Sequence, residues 1–354
     1  MRKISAVVSL FALLSATPAL AQAAEKPEHP SPNAIVDAAP ASDWVTIAPS
    51  DLLVMDLAND AKGNARRVVI QLMPEPFSQG WIRNIRKLAA AHWWDGTSIN
   101  RVQDNYVVQW GDAGYDNPES GETEQKALPE GLATVPESEY THSYEDAVGK
   151  ISPVSLAMDW AEGVKFFEEH CSAGGYLDSD GSFVETERSC SEDEIFPTAT
   201  MFLSGLQFSH NSRKIWPVHC YGAVGVGRNY SPDTGSGAEL YTVIGHAPRH
   251  LDRNIAVVGR VIEGIEHLSS LPRGKGQLGF YEDASKRVPI LSIRLGDALA
   301  EEAPPAFEYL DTESATFAKY TDARANRRDP FFIKPAGGAD ICNIPVPVRR
   351  VTGE

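Results

Sequence analysis

Thr97-Ser-Ile-Asn-Arg101-Val-Gln-Asp-Asn-Tyr106-Val-Val-Gln109-Trp-Gly-Asp112 reads as two short strands with a turn at Asp104-Asn105. Arg101 and Gln109 interrupt apolar, β-branched runs, so a guanidinium and an amide on adjacent strands can share one surface beside Tyr106 and Val107. A lone strand arginine usually packs its stem and leaves its head in water. The rest of the chain decides which description applies to Arg101.

Just upstream, Leu52 to Leu57 and Val68 to Met73 are strand-like runs joined by the turn-rich Asn59-Asp-Ala-Lys-Gly-Asn64, a hairpin signal. Pro74 and Pro76 then stop the second strand. Phe77, Trp81, Ile85, Leu88 and His92 recur at helical spacing with Arg83, Arg86 and Lys87 opposite, which predicts an amphipathic helix of several turns ending near Trp93-Trp94-Asp95-Gly96. Downstream, residues 113–218 are rich in Gly, Pro, Ser and acidic residues, with one helical stretch near Ser155 to His170, and read as an insertion. Within it Asp178 to Glu185 faintly matches a calcium loop but lacks the full ligand spacing, so a solvated loop is expected. Strand texture returns at 221–227, 239–244, 256–262 and 288–295, with a short helix near 263–271. The glycines at 222, 225 and 227 match no phosphate-binding spacing and are expected at a close approach in a curved sheet. Short strands and two peripheral helices, without alternating βα units, predict an all-β fold: a closed antiparallel barrel with capping helices. The domain spans 51–297, and 298–354 forms a C-terminal extension tied back onto it.

The ends and the charge bound the setting. Arg2 and Lys3, the apolar run 4–14 and the small residues up to Ala23 have the order of a secretory signal peptide, so residues 1–23 are expected to be removed in a bacterial periplasm. Residues 24–50, rich in Pro, Ala and Ser, read as a linker that becomes ordered near Trp44–Ile47. Loss of Arg2 and Lys3 takes the formal charge from −16 to −18, a sign that disfavours nucleic acid and anionic lipid. No later stretch is long and apolar enough for a membrane-spanning helix, so no membrane insertion is expected. Cys171, Cys190, Cys220 and Cys342 all lie in the exported part, and an even count there favours two disulfides. Of three connectivities, Cys171–Cys190 with Cys220–Cys342 is preferred because it combines a short loop with a long-range staple. Neither His170-Cys171 nor His219-Cys220 has the spacing of a zinc site, so no metal is expected.

Set together, these pieces resemble the cyclophilin-type peptidyl-prolyl isomerases. Asp95-Gly96-Thr97 stands where that family has Tyr-Asp-Gly-Thr, Ile99-Asn-Arg-Val102 where it has Phe-His-Arg-Val, and Tyr106 to Asp112 where it has Phe-Met-x-Gln-Gly-Gly-Asp. Thr234 to Tyr241, Ala247-Pro248, Leu251-Asp252 and Val257 to Gly264 follow its second half in order. The resemblance implies eight barrel strands, two capping helices and an outer groove that binds proline-containing segments of exported polypeptides without a cofactor. By position it makes Arg101 the catalytic arginine and Gln109 the substrate-holding glutamine. Tyr106, Val107 and Tyr241 correspond to the proline pocket, Glu239 to another groove glutamine and His250 to the rim tryptophan. Asn100, Trp110 and Glu239 depart from the pattern, as does Ile255 or Asn254 where the family has a groove histidine. Trp110 is expected near the active face, and Glu239 close enough to pair with Arg101. The expected activity is prolyl cis–trans isomerisation; the alternative is a catalytically weak cyclophilin-like chaperone or peptide-binding module, suggested by the acidic insertion and Glu239.

Overall fold

The computed structural model describes residues 29–115, 117–151, 174–177, 180, 182–186, 199–211, 213–299 and 306–351. In chain order these begin with α1 (Pro32–Asp37), β1 (Trp44–Ile47), β2 (Leu52–Leu57), β3 (Arg66–Leu72) and α2 (Gln79–Ala90). They continue with β4 (Ser98–Val102), β5 (Val107–Gly111), β6 (His142–Ser143) and α3 (Tyr144–Ile151). Next come β7 (Gly174–Leu177), β8 (Phe183–Thr186), β9 (Ala199–Leu203), β10 (Leu206–His210), β11 (Lys214–Pro217), β12 (Ala223–Val226) and β13 (Leu240–Val243). The chain ends with β14 (Val257–Glu263), α4 (Glu266–Ser269), β15 (Val288–Leu295), β16 (Phe307–Leu310), α5 (Ala315–Ala325) and β17 (Val348–Arg350).

Eight strands close a barrel in the order β12-β13-β5-β4-β15-β2-β3-β14, and every pairing around it is antiparallel. Period-two alternation fixes which side chains enter it. Leu53, Met55 and Leu57 of β2 and Val68, Ile70 and Leu72 of β3 point into the main core, where Phe77, just before α2, and Trp81, Ile82, Ile85 and Leu88 of α2 join them. His92, placed by its spacing on the apolar stripe, lies beyond the helix with φ 54° and is exposed. The outward residues Leu52, Val54 and Val69 are also buried, because Ile47 of β1 and Phe307 of β16 lie over them.

That cover comes from both chain ends. β1 pairs with β16, and β16 with β17, in a separate three-stranded sheet. The 24–50 stretch is thus not simply a linker up to Trp44. Ser31 caps α1 by accepting from the Ala34 N–H, and Ile35 and Val36 pack with Phe317 and Tyr320 of α5. A segment without periodicity of its own is ordered by a partner almost 300 residues away.

Within the insertion, β6-β11-β10-β9 form a four-stranded sheet and β7-β8 a two-stranded one. β8 takes up part of the stretch read as a calcium-like loop, while Asp178 lies outside the described residues. So do Cys171, Cys190 and the helical stretch near Ser155 to His170. Cys220 and Cys342 form a disulfide that ties the segment between β11 and β12 to the extension. Among the described residues no helix is long and apolar enough to cross a membrane.

Candidate active site

β4 and β5 form the predicted hairpin, with Asn105 at φ 50° in its turn. A bulge lies between Ile99 and Arg101. The extra residue, Asn100, is fully buried with neither side-chain polar atom partnered, and it resets the alternation so that Arg101 faces Gln109 on the outer surface. β13 pairs next to β5 and sets Tyr241 beside Gln109 on the same surface. These strands are the floor of a groove of about 500 Å³.

Arg101, Tyr106, Val107, Gln109, Glu239 and Tyr241 all line this groove. His250 does not; its ring stacks beside Tyr106 at the rim, 6.3 Å between centroids. Ile255, rather than Asn254, reaches the groove at the place of the family's histidine, and so brings an apolar wall where a titratable group was a possibility. Trp110 is a correction. Strand alternation turns it the opposite way from Gln109, and it is fully buried in the barrel core rather than near the active face.

Several groove residues carried no sequence signal. Leu278 and Phe280 come from the irregular loop before β15, and Tyr115, Asn117 and Glu119 from the start of the insertion. Gly279 lets that loop approach: its φ is 85°, and a Cβ there would lie 2.8 Å from Gln103 Cα. Phe280 then bridges to Arg101 and places its ring 5.6 Å from the guanidinium carbon, with Tyr106 at 5.9 Å. Leu278, in the left-handed region at φ 53° and ψ 14°, accepts from Arg101 Nε at 2.7 Å. A branched residue held in that conformation is a local cost concentrated at the arginine.

The guanidinium is fixed by neutral acceptors. Nη1 donates to Gln109 Oε1 at 3.1 Å and Nη2 to Gln103 Oε1. Gln109 Nε2 donates in turn to Asn117 Oδ1 at 3.1 Å, and Asn117 Nδ2 to Glu239 Oε2 at 3.4 Å. Glu239 therefore does not pair with Arg101. It is turned away by the Asp112 N–H, which donates to its Oε1 at 2.7 Å, and it lies tight against Gly111, where a Cβ would come within 2.1 Å of Oε1. Burial pushes the Glu239 carboxyl well above the usual range despite the bonds from Asp112 and Asn117. Burial also lowers the Arg101 pKa, partly offset by Tyr106, Glu119 and Tyr241. An arginine so far above neutrality keeps its charge. Tyr106 and Tyr241 are both pushed up by burial and stay neutral phenols.

The result is a cation with no ion-paired carboxylate among the described residues, set between aromatic rings on an open groove that Val107, Leu251 and Ile255 share with polar side chains. Three of its five N–H groups are engaged. Two remain for a substrate. Nothing in the set resembles an activated nucleophile, and among the described residues no three His, Cys, Asp or Glu side chains converge as metal ligands.

The family profile described as cyclophilin type peptidyl-prolyl cis-trans isomerase/CLD matches residues 60–295. Among solved structures, cyclophilin AquaCyp293 from Hirschia baltica is similar with a TM-score of 0.56 at 18% identity, covering 88% of this chain and 94% of that one. A cyclophilin type peptidyl-prolyl cis-trans isomerase of Cryptosporidium parvum, crystallised in the presence of the dipeptide Ala-Pro, matches at 10% identity with a TM-score of 0.34, covering 68% of this chain and 98% of that one. No curated protein sequence matches significantly. With the closed eight-stranded barrel and a profile match over most of its length, the chain belongs to the cyclophilin-type peptidyl-prolyl cis-trans isomerase family.

Proposed function

We propose that this isomerase acts on X-Pro bonds in exported polypeptides of a bacterial periplasm, and that Arg101 is its catalytic residue. The observation that carries the reading is the fixed guanidinium, with no ion-paired carboxylate among the described residues and two uncommitted N–H groups, beside Tyr106, Tyr241 and Phe280. Rotation about the prolyl amide meets a resonance barrier of about 18–20 kcal/mol. As the amide twists, its nitrogen lone pair ceases to be delocalised and becomes a hydrogen-bond acceptor. A donor aimed there binds the twisted state more strongly than the planar one, and only such differential binding accelerates a reaction.

Magnitudes show why the groove is needed as well. An acceleration of about 10⁵ requires about 7 kcal/mol. One preorganised donor of this kind contributes about 2.7–4 kcal/mol. The remainder falls to holding the proline ring against Tyr106, Val107, Tyr241 and Phe280, and to excluding water around the guanidinium. Gln109 serves twice, by orienting Arg101 and by presenting its amide to the substrate backbone. The periplasmic setting rests on the charged, apolar and small-residue order of residues 1–23, and the Cys220–Cys342 disulfide accords with an oxidising compartment.

The test is the cis–trans exchange of a short Xaa-Pro peptide followed by two-dimensional NMR with catalytic amounts of protein. Exchange that takes tens of seconds unaided is expected to become fast enough to produce exchange cross-peaks. Exchange left at the spontaneous rate would reject the enzymatic reading.

A further inference from the structure

Behind the groove, Tyr241 reaches a buried network that the proposed mechanism leaves unused. Its ring lies across Gly225, where a Cβ would be 2.4 Å from both Cζ and Oη, so only glycine permits this placement. Beyond Gly225 the Tyr241 hydroxyl meets His219 Nε2 at 2.9 Å, with the two ring planes nearly parallel at 8°. His219 is fully buried, and its Nδ1 lies 2.9 Å from Asp252 Oδ1, which also accepts from the His219 backbone N–H at 2.9 Å. A carboxylate can only accept, so Nδ1–H donates to Asp252; in the neutral ring with the proton on Nδ1, Nε2 accepts from the Tyr241 O–H.

The network then leaves the barrel. Asp252 Oδ2 accepts from Arg249 Nε, and Arg249 Nη2 donates to Ser209 Oγ at 2.7 Å on β10 of the insertion. Arg249 Nη1 lies 3.8 Å from Asp340 of the extension. Asp340 caps the Cys342 N–H at 2.8 Å, and Cys342 is disulfide-bonded to Cys220, the neighbour of His219. Insertion, extension and barrel thus converge directly behind one wall of the groove.

We propose that His219 is a positioning residue for the isomerase. Held by Asp252, it pins the Tyr241 hydroxyl, sets the ring as a rigid wall of the proline pocket, and is itself braced by the insertion and by the disulfide-linked extension. A tyrosine ring released from this bond can rotate over Gly225, and the pocket loses its shape without losing Arg101. The inference rests on the reading of the groove as the substrate site. It concerns how the proline ring is held, so its signature is in KM rather than kcat.

The experiment compares His219→Leu, Tyr241→Phe, the double variant and His219→Gln, in steady-state isomerisation and in NMR titration with an Ala-Pro peptide. Tyr241→Phe removes a single oxygen and so preserves the fold even where His219→Leu loses stability. Each single change is expected to raise KM and the peptide Kd about tenfold with kcat within about twofold, and the double variant is expected to be no worse than either single one. That non-additivity corresponds to a coupling of about 1.4 kcal/mol. His219→Gln, which keeps an acceptor toward the hydroxyl, is expected to recover most of the KM. Cys342→Ser is expected to raise KM in the same sense. Wild-type KM and Kd in Tyr241→Phe, or independent multiplication of the two single effects, would overturn the proposal. If the wild type binds the peptide but does not accelerate exchange, the isomerase reading fails while the Kd values still decide the role of His219.

Discussion

Glu239→Gln gives a stability effect whose sign and pH range follow from the groove. Glu239 is 4% exposed, and its Oε1 is committed to the Asp112 N–H at 2.7 Å. Burial raises its pKa well above the ordinary value of 4.5, and the bonds from Asp112, Asn117 and Gln109 do not offset it. In the unfolded chain the carboxyl ionises near 4.5; in the folded protein it holds its proton to higher pH. Between the two values the unfolded state binds fewer protons, so the stabilising contribution is complete below about pH 4.5 and is lost as pH rises through the folded pKa. The slope is about 1.4 kcal/mol per pH unit for one proton. Glutamine has the same shape, keeps an acceptor for Asp112 and does not titrate. The stability difference between Glu239→Gln and wild type is therefore constant at acid pH and then grows in favour of the variant by about 1.4 kcal/mol per pH unit, until Glu239 ionises in the folded state. At roughly 2–4 °C per kcal/mol for a domain of this size, calorimetry from pH 4 to 8 resolves the divergence. A difference that stays flat across that range, or one that grows in favour of wild type, would refute the reasoning.

Other perturbations separate the groove from its supports. Gln109→Ala removes the acceptor of Arg101 Nη1 and the link to Asn117; with hydrogen bonds to charged groups contributing about 1.5–3 kcal/mol, kcat/KM is expected to fall about 10- to 150-fold. Trp110→Phe acts inside the barrel, where the indole N–H has no partner. It is expected to lower stability by about 1–3 kcal/mol while kcat/KM stays within about twofold, as measured by denaturation and peptide exchange in parallel. Cys220→Ser opens a link between residues separated by 122 positions; chain entropy predicts a loss of about 4–5 kcal/mol and a fall in Tm of roughly 10–20 °C by calorimetry.

The hairpin that carries Arg101 was legible because its signals are local: β-branched runs, a turn at Asp104-Asn105 and polar residues opposite each other on adjacent strands. The helix that carries Trp81, Ile85 and Leu88 was legible for the same reason, through its 3.6-residue period. Trp110 was also within reach, since alternation from an outward Gln109 turns it inward; family position alone suggested the opposite. Leu278 and Phe280 were not legible. They sit in an aperiodic loop and meet Arg101 through a backbone bridge to Phe280 and a hydrogen bond to Leu278 that span almost 180 residues. Asn117 and the pairing of β1 with β16 are hidden likewise, because each depends on segments distant in sequence. The bulge at Asn100 is what keeps Arg101 outward, and nothing in Ile99-Asn-Arg-Val102 marks an extra residue.

The guanidinium of Arg101, with its two uncommitted N–H groups, is proposed to stabilise the twisted prolyl amide. The most direct test of that role is the turnover of Arg101→Ala beside wild type and Arg101→Lys on one Xaa-Pro peptide, by NMR exchange at saturating and subsaturating peptide. Loss of a preorganised donor predicts a fall in kcat of about 10²–10³ for Arg101→Ala, with KM within a few-fold. Arg101→Lys, which keeps the charge but not the fork that bonds Leu278, Gln103 and Gln109 together, should recover only a small part of it. An Arg101→Ala protein that turns over within fivefold of wild type would contradict the account.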